Sequence, residues 1–205
     1  MKKTLSVLTL LASSALLSMA LAAPASADVT ATCAGCHGSE GTSSDKDLPV
    51  IGGMSAAYIK DTLAAYKSGE RKGCPDFTVK NGDKKGTKTN MCDVAKGLSD
   101  ADMQAAADHY SGKPFVKFKQ TADDALAKKG KSIFEGNCEK CHTDGGTVKA
   151  DDASILAGQP MPYLKSQLDD FLGGKRTKPE KMINKLKKLE AGDVDALVNF
   201  LGSAK

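Results

Sequence analysis

The sequence predicts an all-α protein built as two tandem domains related by internal duplication. Three observations predict it. Cys33-Ala34-Gly35-Cys36-His37 recurs as Cys138-Glu139-Lys140-Cys141-His142, at an offset of 105 residues. Residues downstream keep that offset: Ile51 with Leu156, Tyr58 with Tyr163, Leu63 with Leu168, Tyr66 with Phe171, Gly69 with Gly174 and Arg71 with Arg176. The apolar members recur at helical rather than alternating spacing.

Both copies read C-x-x-C-H, the attachment pattern of a c-type haem. Two thiols three positions apart can each add to one vinyl group of the same porphyrin, and the following His is then held against the iron. Cys33 and Cys36, with His37, define one covalent haem c; Cys138 and Cys141, with His142, define a second. A zinc half-site or a dithiol pair also uses C-x-x-C. Against these, a His follows each pair at once and each pair heads its own copy of a longer repeat. The fold class becomes two tandem cytochrome c-type haem domains, with electron transfer as the function.

Residues 1–27 read as a signal peptide: Lys2 and Lys3, an apolar run from Leu5 to Leu21, and the small-residue site Ala25-Ser26-Ala27. A retained anchor is the competing reading. No later stretch is apolar for long enough to span a bilayer, so the expectation is a periplasmic protein without stable membrane insertion. An oxidising compartment suits haem attachment and disulfides.

The first domain spans residues 28–112. Its helices are expected at Ser55 to Lys67, with Ser55 as N-cap, and at Ser99 to Tyr110, opened by Ser-x-x-Asp. Only five residues separate the cleavage site from Cys33, so its leading helix should be short or missing. Ser111-Gly112-Lys113-Pro114 ends the domain, and residues 113–122 form a linker. The second domain spans residues 123–205. It should open with a helix from Asp123 to Phe134, then carry helices at about Met161 to Leu172 and Asp193 to Leu201.

Beyond Arg71 the offset falls to 91, carrying Met91 to Met182, Leu98 to Leu189 and Asp102 to Asp193. The first half therefore has 14 extra residues between Arg71 and Met91. Met91 and Met182 alone among the methionines correspond across the repeat, which makes them the expected distal iron ligands. The competing role for each is core filling. Met103 sits on an apolar helical face and reads as core. His109 has no counterpart and reads as a surface or packing residue. Cys74 and Cys92 remain after haem attachment. A disulfide between them would close a 19-residue loop, worth about 3 kcal/mol by chain entropy, and would steady Met91. Thiolate ligation of the first iron by either is the alternative.

The run ILAGQPMPYLKSQLDDFLGGKR, followed by Met182 and a last helix, resembles dihaem cytochromes of the c4 type. CEKCHTDGG, with ILAGQ, PYL, DDF and EKMINKL, resembles still more the cytochrome subunit of flavocytochrome c sulfide dehydrogenase. The resemblance implies two cytochrome c domains about a pseudo-twofold axis. It implies His37, Met91, His142 and Met182 as axial ligands, and an FAD flavoprotein that oxidises sulfide as partner. The insertion with Cys74 and Cys92 departs from that picture. No G-x-G-x-x-G element is present, so the chain is not catalytic alone and any sulfide chemistry sits on another polypeptide. A freestanding c4-type carrier feeding a terminal oxidase, and a haem enzyme with open or thiolate-bound iron, are the alternatives.

Charge differs between the halves, net −2 over residues 28–112 and net +4 over 113–205. Lys175, Arg176, Lys178, Lys181, Lys185, Lys187 and Lys188 surround Met182 in sequence. They could steer an acidic redox protein; a solvated helix face explains them equally well. Arg71 and Arg176 occupy matching places and are candidates to hold haem propionates. Nothing points to nucleic acid.

Overall fold

Helices carry both halves, and local sequence explains where each begins. In the computed structural model, which describes residues 29–177 and 179–204, α1 (Val29–His37) contains the first C-x-x-C-H motif. α2 (Ala56–Ser68) is N-capped by Ser55, whose hydroxyl accepts from the Tyr58 N–H, and ends on Gly69 in the left-handed region. A two-stranded antiparallel hairpin follows, β1 (Phe77–Thr78) and β2 (Lys88–Thr89). Then come α3 (Met91–Lys96) and α4 (Asp100–Ser111), the latter opened by a capping box between Ser99 and Asp102.

The second half opens with α5 (Asp124–Asn137), capped by Asp123. A distorted turn α6 (Thr143–Gly146) and a short 3-10 turn (Lys149–Asp151) lead to α7 (Met161–Leu172). Pro162 stands in its first turn, where the missing N–H costs nothing. α8 (Glu180–Leu186) and α9 (Asp193–Gly202) complete the chain. The expected signal peptide lies outside the described residues. Among the described residues no helix is long and apolar enough to cross a membrane.

The duplication is visible bond by bond. Ile51 and Gly52 N–H both donate to the Gly41 carbonyl; at offset 105, Leu156 and Ala157 both donate to Gly146. Gly53 N–H donates to Tyr110 and Gly158 N–H to Leu201, each tying the middle of its half to the last helix. Asp102 caps Ser99 N–H at 2.9 Å, and Asp193 caps Glu190 N–H at 2.9 Å.

Packing differs more. α2 lies on α3 and α4, and α1 on α4. In the second half α5 crosses α9 very closely: a Cβ on Gly130 would stand 2.0 Å from the Ala196 carbonyl oxygen. Only a residue without a side chain fits there. The two cores are separate clusters, one around Met54, Ile59, Leu63, Met103 and Tyr110, the other around Phe134, Leu164, Leu197 and Leu201. Ile155 of the second half packs into the first cluster, an apolar contact across the two halves.

The join is also polar. Gln159 is fully buried; its Oε1 accepts from Val50 N–H at 2.9 Å, and its Nε2 donates to the Val50 carbonyl at 2.8 Å and the Ile155 carbonyl at 3.2 Å. A buried amide left without these partners would cost about 1–3 kcal/mol per orphaned group. Arg71 and Arg176 face each other in an antiparallel bridge, and Lys72 N–H donates to the Lys175 carbonyl at 2.9 Å.

Candidate haem sites

The first motif opens onto a cavity of about 1240 Å³. Typical small-molecule pockets measure about 300–1,000 Å³, so there is room for a porphyrin. Cys33, Cys36 and His37 line it, and so does Met91 at the start of α3. His37 is buried, and its Nδ1 lies 3.2 Å from the Pro49 carbonyl. A carbonyl only accepts, so Nδ1 carries the proton and Nε2 keeps its lone pair, the tautomer a metal ligand needs. Burial holds His37 below its usual pKa, which favours the neutral ring.

Met91 is half-buried against the first core cluster, and Asn90 caps its helix by accepting from Asp93 N–H at 2.9 Å. Met54 also lines the cavity, but its sulfur accepts from Ile155 N–H at 3.3 Å, which commits it to the join between halves. Met103 is buried core. His109 Nε2 lies 3.0 Å from the Ser39 carbonyl. Cys74 and Cys92 are joined by a disulfide with Cα atoms 5.9 Å apart, so neither is a free thiolate. Burial pushes the Cys33 and Cys138 thiols up to about 11 each, environments that suit a neutral thioether sulfur and disfavour a metal-bound thiolate.

In the second half Cys138 caps α5 and packs on the second core cluster, while Cys141 is exposed. His142 N–H donates to the Cys138 carbonyl at 3.0 Å, closing the motif into a turn. His142 is half-buried. Met182 is half-buried in the first turn of α8, which packs against α7. Of the basic residues around it, Lys175, Lys181, Lys185, Lys187 and Lys188 are exposed, and Lys178 lies outside the described residues.

Arg71 and Arg176 come together at the join. Arg71 is buried, lines the cavity, and donates to the Tyr163 hydroxyl at 3.4 Å and to Gln167 Oε1. Arg176 donates to the same Gln167 oxygen at 3.1 Å. Each guanidinium lies over a ring, Arg71 on Tyr66 at 4.4 Å and Arg176 on Phe171 at 4.0 Å. Burial and the neighbouring Arg71 charge hold Arg176 below its ordinary value. Among the described residues neither makes an ion pair. A buried cation on the cavity wall, Arg71, with a half-buried one, Arg176, behind it and only neutral partners for both, fits an anionic group such as a haem carboxylate on the cavity side of Arg71.

Sequence reasoning did not find Gln159, the Met54–Ile155 contact or the Arg71–Gln167–Arg176 cluster as joining elements. A lone Gln carries no periodic signal, and its value comes only from a residue 109 positions away.

Two helical halves, each built on C-x-x-C-H and joined through a shared interface, define a dihaem c-type cytochrome. Residues 22–109 match the family model "Cytochrome c", and residues 125–201 match "Cytochrome C oxidase, cbb3-type, subunit III". The chain is 34% identical over 185 residues to cytochrome c4 of Stutzerimonas stutzeri, covering 83% of both proteins. It superposes on the crystal structure of reduced recombinant cytochrome c4 from Pseudomonas stutzeri with a TM-score of 0.69, at 28% identity, covering 86% of this chain and 95% of that one. It is also 27% identical to the thiosulfate dehydrogenase electron acceptor of Thiomonas intermedia, over 72% of this chain and 65% of that protein. The chain belongs to the dihaem cytochrome c4 family. It carries two covalent haem c groups and acts as an electron carrier.

Proposed function

We propose that this protein is a freestanding periplasmic relay that takes electrons from a dehydrogenase of reduced sulfur compounds and passes them to a terminal oxidase. The observation that carries the relay reading is a cavity lined together by Cys33, Cys36 and His37 of α1 and Met91 of α3. Cys33 and Cys36 hold one haem and Cys138 and Cys141 the other. His37 with Met91, and His142 with Met182, are the axial pairs. Haem supplies one-electron chemistry, and His/Met ligation favours electron transfer over small-molecule binding. Arg71 and Arg176 hold carboxylates of the haems at the join. The Cys74–Cys92 disulfide speaks against the thiolate-ligated form of the haem-enzyme reading at the first iron.

The sulfur-compound donor is supported by the likeness to the thiosulfate dehydrogenase electron acceptor. Residues 1–27 supply export in this reading. A second reading is favoured by the run from Cys138 to Leu186, which resembles the cytochrome subunit of flavocytochrome c sulfide dehydrogenase. There the protein is a permanent subunit bound to an FAD protein.

Purification of the mature holoprotein at native abundance separates the two. The relay should elute alone, without flavin, with two haems per chain and a far-red band from Met-ligated ferric haem. A stoichiometric flavin partner would replace the first reading with the second. Ready binding of carbon monoxide at either haem would remove both.

A further inference from the structure

The insertion of the first half is a wall of the first haem cavity, and it carries the wrong charge for the domain it belongs to. Phe77, Val79, Thr87 and Thr89 of the hairpin line the cavity. The hairpin seats on the haem motif itself: Lys80 and Asn81 N–H both donate to the Gly35 carbonyl, at 2.9 and 3.1 Å. Gly35 eases the approach, since a Cβ there would stand 3.0 Å from Val79 Cγ1 and the valine would have to give way slightly. In the second half Lys140 takes that place and is exposed. The disulfide ties the base of the hairpin to α3, one residue from Met91.

Residues 72–90 hold five lysines (Lys72, Lys80, Lys84, Lys85, Lys88) against Asp76 and Asp83, net +3. Residues 28–112 as a whole are net −2, so the rest of that domain is net −5. Lys80 is engaged with Asp45 at 2.6 Å. Lys84, Lys85 and Lys88 are exposed and make no ion pair among the described residues. Half of the ten basic residues of residues 28–112 fall in these 19 positions, on a segment that walls the cofactor cavity. Concentrated there, on an acidic domain, they give it a field that turns the cavity toward an incoming negative surface.

The geometry points to this hairpin as the docking surface for an acidic electron-transfer protein at the first haem. The inference rests on the relay reading and adds to it a place and a partner chemistry. An anionic membrane is the competing occupant.

The test uses the full mature holoprotein and reduced flavodoxin as an acidic redox probe, followed by stopped flow at low and high ionic strength. Three proteins are compared: wild type, K84E/K85E/K88E, and K181E/K185E/K188E as an equal charge reversal in the second half. Haem content, the far-red band and the melting temperature establish that each variant is folded. The hairpin variant should lose about tenfold in bimolecular rate at low salt, with the loss vanishing at high salt. The second-half variant should lose less than twofold. A hairpin loss under twofold, or equal losses in both variants, overturns the proposal. So does a hairpin variant that loses binding to phosphatidylglycerol vesicles while keeping its rate, since the surface would then belong to a membrane. A holoprotein that dithionite cannot reduce at both haems would instead sink the relay reading itself.

Discussion

The two halves share a frame and differ in what surrounds it. The bonds from Gly41 to Ile51 and from Gly53 to Tyr110 reappear, residue for residue, at Gly146, Leu156, Gly158 and Leu201. Around that frame the first half builds an open cavity walled by a disulfide-tied hairpin. The second half instead spends its best packing on the α5–α9 crossing at Gly130. Backbone bonds survive duplication because each one closes a turn that must close in either copy. Surface loops are free to diverge, and here one of them took on the wall of a site.

The strongest way to break this comparison is to remove one haem at a time. C33S/C36S and C138S/C141S should each leave a protein whose intact mass carries a single haem. The first variant should lose the structure of its half as well, because a cavity of about 1240 Å³ cannot be left without its filling. Circular dichroism and limited proteolysis would show residues 29–112 cut while the second half stays protected. Next in size is G130V. With the Ala196 carbonyl 2.0 Å from the position of a Cβ, the helices must part, at about 3 kcal/mol or more. Thermal melting should show the second half failing first, and the first half keeping its far-red band.

The frame was legible in the sequence to a degree the walls were not. Ser55 and Ser99 announced their helices because an N-cap is a local signal, and both cap as expected; Asp123, expected as the first residue of its helix, is its cap. The change of offset from 105 to 91 located the insertion but gave no hint of its direction. That it folds back on Gly35 depends on two N–H donors meeting one carbonyl some 45 residues away, a contact without periodicity. The leading helix of the first half was expected to be short or missing. It is short: α1 has only Val29 to Thr32 ahead of Cys33 and continues through the motif to His37, whereas in the second half the 14-residue α5 ends before Cys138. Arg71 and Arg176 were singled out by repeat position alone. Their meeting across the join, bridged to each other and sharing the Gln167 oxygen, is a contact between distant segments that repeat position alone does not announce.

The disulfide sharpens the comparison further, since the second half has no counterpart. C74S/C92S should destabilise the first half by about 3 kcal/mol through the freed 19-residue loop. With the tie beside Met91 gone, the far-red intensity of one haem should fall and carbon monoxide should gain access to it. Unchanged ligation with lowered stability would confine the disulfide to holding the hairpin.

The smallest effect is a pH dependence confined to the hairpin. Asp45 anchors Lys80 at 2.6 Å, and the Lys80 hydrogen bond holds its carboxyl below the usual aspartate range. A carboxylate depressed in the folded state adds stability above its unfolded pKa of about 3.9. That stability is lost as pH falls through the lower folded value, because the protonated acid no longer holds the ammonium. With Lys80 half exposed, the pair is worth about 1 kcal/mol at most. The protection factors of Lys80 and Asn81, whose N–H groups bind Gly35, should therefore fall modestly below about pH 4. The same amides in D45N should show the lower protection at every pH and lose this change. Equal acid sensitivity in D45N would mean that the hairpin is held by its backbone bonds and its disulfide alone.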